Sequence, residues 1–209
     1  LEDRMWEREW LKDFSPMQFG KRLWIYPTGY DAPSGDEIII HLDPGLAFGT
    51  GTHATTALCL EWLDRLSLGG KTMLDYGCGS GVLAIAALKL GCSSATGVDI
   101  DPQALMATRQ NASDNEVSKN LNVLGAAIDI TGEFDVVVAN ILAGPLIQFA
   151  ESITRTLREL GMLALSGILY EQADDVMAAF EPWIEFDPPV FREQDGQIWS
   201  RLTGKRRAG

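Results

Sequence analysis

The run Leu74-Asp75-Tyr76-Gly77-Cys78-Gly79-Ser80-Gly81 follows one apolar segment and opens another of helical spacing. Glycines at alternate positions let the backbone turn sharply and let a ligand approach without meeting a Cβ atom. A tight strand-to-helix turn alone also accounts for such a run. The spacing is GxGxG, whereas the dinucleotide fingerprint is GxGxxG with pyrophosphate on the helix N-terminus. Asp99 closes the next apolar run, where a carboxylate accepts both hydroxyls of a ribose. Each such charge-assisted bond contributes roughly 1.5–3 kcal/mol. The same charge repels a 2′-phosphate, which argues against NADP. A helix cap is the alternative role for Asp99, but Asp101 already fills it ahead of Pro102.

Two other runs carry chemistry. Leu42 to Thr56 (LDPGLAFGTGTHATT) is dense in glycine and threonine before a helix. Its flexible backbone and hydroxyls suit a lid over a polar ligand. His53 reads as the first residue of that helix before it reads as a base. Val138-Ala139-Asn140-Ile141-Leu142-Ala143 is a strand ending in asparagine. A strand-end turn is the alternative role for Asn140.

These residues need a scaffold that brings strand ends together. A helix is expected from about His53 to Leu66, with Leu58, Trp62 and Leu66 on one stripe. A strand at Lys71–Tyr76, a helix at Gly81–Leu90 and a strand at Ala95–Ile100 follow. Asp101-Pro102 then starts another helix. A weaker strand lies near Leu121–Leu124, and Phe134–Ala139 reads as a strand buried on both faces. After Gly144-Pro145, one helix is expected to carry Leu146, Ala150, Ile153, Leu157 and Leu160 on one face and to end at Gly161. Met162–Ser166 reads as a buried strand and Tyr170–Phe180 as a helix. Trp183 to Gly204 reads as two longer strands around Asp195-Gly196, a hairpin signal. Alternation of this kind means a doubly wound α/β fold with a mostly parallel sheet, closed by an antiparallel hairpin.

Within residues 1–52, the first 30 differ from the rest. Trp6, Trp10, Phe14, Phe19, Trp24 and Tyr26 concentrate there, and Met5, Trp6 and Trp10 share one face of a short helix. Lys21–Pro27 and Glu37–Leu42 read as strands around a turn-rich stretch. The segment is expected to be a cover and linker packed on the domain formed by 53–209; a separate arm for a partner is the alternative.

The 209 residues hold 17 basic and 29 acidic side chains, a formal charge of −12, with 46% hydrophobic content. That balance disfavours sequence-independent nucleic-acid binding and suits a basic partner such as a lysine-rich protein. No apolar run approaches the roughly 18 residues of a membrane span. Cys59, Cys78 and Cys92 show no metal spacing, and with only His41 and His53 beside them no zinc site is expected. A reducing, cytoplasmic setting and a monomer are the expectations.

Asp75-x-Gly77-x-Gly79-x-Gly81 together with Asp99 resembles the seven-stranded methyltransferases that use S-adenosylmethionine. With the Leu42–Thr56 and Val138–Ala143 runs, the resemblance narrows to the PrmA family of ribosomal protein methyltransferases, from about Asp3 to Gly204. It implies an α/β doubly wound, seven-stranded, mostly parallel sheet. It also implies S-adenosylmethionine as cofactor without a metal, and a large-subunit ribosomal protein as substrate, methylated on lysine side chains and the terminal amine. By the resemblance the cofactor contacts are Thr56, Asp75, Gly77, Gly79, Gly81, Asp99, Ile100 and Asn140, with Phe48 and His53 from the lid; Asn140 also positions the amine. Related enzymes for planar amines follow their Asn or Asp with two prolines and an aromatic, whereas Asn140 is followed by Ile141-Leu142-Ala143. That argues against a base or glutamine as substrate. A small-molecule amine or RNA is the alternative acceptor. The family carries a small N-terminal domain that grips the ribosomal protein. The expectation is that this chain starts where that domain ends, keeping cofactor binding and putting substrate recognition in question.

Overall fold

The computed structural model describes residues 15–27, 30, 35–42, 53–125 and 130–208. Phe48 and the helix expected around Met5, Trp6 and Trp10 lie outside the described residues.

An eight-stranded sheet organises the chain. Strand β4 (Thr72–Tyr76) leads through helix α2 (Val82–Lys89) to β5 (Ser94–Asp99), then through α3 (Pro102–Asp114) to β6 (Leu121–Gly125). The chain next crosses to the other side of β4 as β7 (Phe134–Asn140). It continues through two short helices, α4 (Ala143–Gln148) and α5 (Ala150–Arg155), to β8 (Leu157–Leu169). These five strands are parallel in the order β8-β7-β4-β5-β6. Winding reverses between β4 and β7, so their carboxyl ends open a crevice. Helix α6 (Ala173–Phe180) precedes β9 (Ile184–Phe186), β10 (Val190–Gln194) and β11 (Gln197–Arg206). Strand β11 runs antiparallel beside β8 and pairs with both β10 and β9.

Burial explains the centre. Val136, Val137, Val138 and Ala139 of β7 are fully buried, alternating between two cores. On one face lie α1 (Ala54–Arg65), α2 and a small sheet of β1 (Met17–Phe19), β2 (Leu23–Tyr26) and β3 (Ile38–His41). Leu58 and Trp62 of the expected stripe are buried there, and Leu66 caps the end of α1. Phe19, Leu23, Ile25 and Ile40 join the same core, so this sheet packs on the main fold. The opposite face is covered by α4, α5 and α6.

Three local expectations are corrected. The single helix through Leu157 and Leu160 is instead two short helices and the start of β8. Leu157 pairs with Phe134, while Leu160 is exposed and held at φ 60° in an excursion of the strand. The tail has three strands, because Pro188-Pro189 separates β9 from β10. Tyr170 begins a 3-10 turn, and α6 starts only at Ala173. The hairpin turn falls where expected, with Asp195 at φ 53° and Gly196 at φ 75°, the left-handed pair that such turns require.

Several helix ends carry charges that complement their dipoles. Helices α1, α2 and α5 end with Arg65, Lys89 and Arg155 at the amino ends of the parallel strands, where cations meet the negative helix termini. Helix α6 opens with Asp174 and Asp175 at the carboxyl ends, the side of the crevice. Among the described residues no helix is long and apolar enough to cross a membrane.

Candidate active site

The crevice is floored by the glycine run. Gly77, Gly79 and Gly81 sit at φ 79°, 54° and 79°, in the left-handed region that costs other residues roughly 1–2 kcal/mol. A Cβ on Gly77 would lie 2.3 Å from Ile141 Cγ2, so the turn passes directly beneath the strand end that carries Asn140. The N–H groups of Gly77 and Cys78 donate to Val98 O at 2.7 and 3.0 Å, tying the loop to β5.

Asp75 is fully buried at the end of β4. Its Oδ2 accepts from Ala84 N at 3.1 Å, satisfying an open N–H in the first turn of α2. Among the described residues Oδ1 has no hydrogen-bond partner. Burial pushes the carboxyl up to about 7, with the Ala84 bond pulling down and the nearby Asp99 charge pushing up. Asp99 spans the loop: Oδ2 accepts from Gly79 N at 2.9 Å and Oδ1 from Asp101 N at 3.0 Å. Each oxygen keeps a second lone pair. Asp101 takes the cap of α3, its Oδ1 accepting from Gln103 N at 2.9 Å. Ile100 beside it is 84% exposed.

On the other wall, Asn140 Nδ2 donates to Thr56 Oγ1 at 3.3 Å. With the nitrogen so engaged, Oδ1 is the end of the amide left to accept. His53 caps α1: its Nδ1 accepts from Thr55 N at 3.4 Å and lies 2.8 Å from Thr55 Oγ1. Its ring meets Trp199 edge-on at 4.6 Å. Burial holds the imidazole below its ordinary pKa against the pull of Asp195. The crevice thus gathers Asp75, the three glycines, Asp99 and Ile100 on one side, and Thr56 with Asn140 on the other.

Sequence reasoning passed over the residues that hold these parts. Thr108 and Asn111, both buried on the inner face of α3, donate to Gly79 O at 2.9 Å and Ser80 O at 2.8 Å. Just past the helix, Asn115 accepts from His41 N at 2.8 Å and donates to His41 O at 2.6 Å, fixing the end of β3. Across the sheet, Ser166 donates to Thr55 O at 3.3 Å and Arg201 to Leu58 O at 2.6 Å, while Gln194 accepts from Ala54 N. Helix α1, and Thr56 with it, is therefore held by β8 and the C-terminal hairpin. Gly167, at φ 84°, leaves room for the Ile141 backbone, whose carbonyl oxygen a Cβ there would meet at 2.3 Å. Its signal was a glycine within an apolar strand, a mark of close backbone approach.

This geometry holds a polar ligand between a glycine turn and an asparagine, and comparison with known proteins agrees with it. The family described as ribosomal protein L11 methyltransferase (PrmA) matches residues 1–207. The chain belongs to this family. A PrmA relative from Pectobacterium carotovorum, a ribosomal protein L11 methyltransferase, is 55% identical across 100% of this chain and 70% of its own length. Another, from Pseudomonas aeruginosa, is 53% identical with the same shares. Among solved structures, the ribosomal protein L11 methylase of Lactobacillus delbrueckii superposes with a TM-score of 0.82 at 34% identity, covering 93% of this chain and all of that one. Membership in PrmA makes this a methyltransferase, on the fold its sequence implied.

Proposed function

We propose that this chain transfers methyl groups from S-adenosylmethionine to amines of ribosomal protein L11, on lysine side chains and the terminal amine. The observation that carries the reading is the meeting of Thr56 and Asn140 beside the glycine loop, in a chain of the PrmA family. When bound, the cofactor supplies an activated methyl group on a sulfonium.

The residues present fit that cofactor. The unpartnered Oδ1 of Asp75 suits an ammonium group, directly or through water. Asp99 has lone pairs left for ribose hydroxyls, and exposed Ile100 offers an apolar face to a base. Gly77, Gly79 and Gly81 keep the loop free of side chains where the ligand lies. Phe48 and His53 remain the lid contacts in this reading.

Asn140 does the positioning. Its Oδ1 accepts an N–H of the incoming amine and aims the lone pair, while Thr56 keeps the amide from rotating. A lysine is cationic near its ordinary pKa of about 10.4, and desolvation between the lid and the crevice favours the neutral form. Water takes the released proton, so no dedicated base is needed. The reading takes 53–209 as the transferring domain and 1–52 as its cover and linker, in a cytoplasmic monomer. Calorimetric titration with S-adenosylmethionine tests it. Saturable binding that weakens at least tenfold in Asp99→Ala is expected, and no binding by the folded chain overturns the reading.

A further inference from the structure

The row Ile168, Ser200, Phe191 runs across β8, β11 and β10 on the face away from α1. Ile198 and Glu193, paired with each other, continue that face toward the hairpin turn. Tyr170 follows β8 at the same end and meets Phe191 edge-on, with ring centroids 5.1 Å apart. Tyr170, Phe191 and Ile198 are 57%, 44% and 46% exposed, an aromatic and apolar patch in a hairpin otherwise rich in charge. Its border is acidic: Glu171 and Glu193 are exposed beside it. The nearby cation, Arg192, points to the other face, where it binds Glu61 at 2.8 and 2.9 Å.

We infer that this patch docks a lysine-rich segment of the protein substrate, next to the segment whose amine enters over Asn140. The inference rests on the function proposed above and adds where the substrate is held. Aromatic faces attract ammonium groups, carboxylates pair with them, and Ile198 suits the methylene stem of a lysine. Phe191 lies three strand spacings across from β7, roughly 14 Å, in the row of Ile168, two residues past the Ser166 that pairs with Asn140. A chain that also passes over the sheet edge covers that path in roughly six to eight residues. The patch therefore reads positions several residues from the reacting amine, and only a cationic segment matches its border.

Titration of ribosomal protein L11 into the chain tests this, with S-adenosylmethionine titrated in parallel. In the double variant Tyr170→Ala/Phe191→Ala, affinity for L11 is expected to fall at least tenfold, with cofactor affinity and thermal midpoint unchanged. Glu193→Lys, which keeps both rings, is expected to weaken L11 several-fold. Unchanged L11 affinity in both variants overturns the inference, as does absence of L11 binding by the parent chain. Tighter association of the parent chain with RNA than with L11 also overturns it. Failure of the parent chain to bind S-adenosylmethionine sinks the proposed function instead, while the L11 titration still decides the patch.

Discussion

Asp75 carries opposing demands. In the proposed reading it meets an ammonium as a carboxylate, yet burial favours its protonated form and lifts its pKa to about 7. A raised pKa means that the folded chain holds the proton more tightly than the unfolded one. Its contribution to stability is then fullest below about 4 and is lost as pH rises through about 7. Unfolding of Asp75→Asn alongside the parent is expected to show a difference of a few kcal/mol opening across that window and flat above it. Titrating S-adenosylmethionine across the same range is expected to show binding strengthening with pH until Asp75 is ionised. Gly77 supplies a second check at this scale. Gly77→Ala is expected to abolish cofactor binding, through a Cβ 2.3 Å from Ile141 Cγ2 and the cost of its positive φ. Adding Ile141→Ala relieves the clash alone, and calorimetry is expected to show partial recovery. The places of Gly77, Asp99 and Asn140 at the crevice were legible in the sequence because they depend on local spacing at strand ends. Thr108, Asn111 and Asn115 were not, because polar residues at helical spacing look the same whether they face water or a loop 30 positions away.

Helix α3 shows what an element adds. Its inner face donates to two carbonyls of the glycine loop, and Asn115 just beyond it holds His41. Asn111→Leu keeps the branched heavy-atom skeleton but leaves Ser80 O without that donor in a buried site, a loss of about 1–3 kcal/mol. Denaturant unfolding is expected to show it, together with weaker cofactor binding and an unchanged affinity for L11. The alternation of strands and helices from α1 to β8 was readable from periodicity, as was the buried β7. The stripe Leu146, Ala150, Ile153, Leu157, Leu160 misled because a strand can continue a helical spacing by chance. Pairing of Leu157 with Phe134 decided the local structure, and no periodicity within the segment reports that contact. The break between β9 and β10 was passed over, although Pro188-Pro189 carries its signal, since proline lacks the donor that a paired strand needs.

At the scale of the whole molecule, the small sheet β1–β3 and the C-terminal hairpin each tie to a different helix region. The sheet is fixed through His41 to Asn115 just beyond α3, and the hairpin holds α1 through Arg201 and Gln194. The net charge of −12 bears on kinetics more than on fold. Stopped-flow association with L11 is expected to slow about tenfold between low salt and roughly 0.5 M, while cofactor affinity barely moves. The excess of 12 negative charges also acts at a distance: it draws a lysine-rich protein toward the molecule before any surface touches.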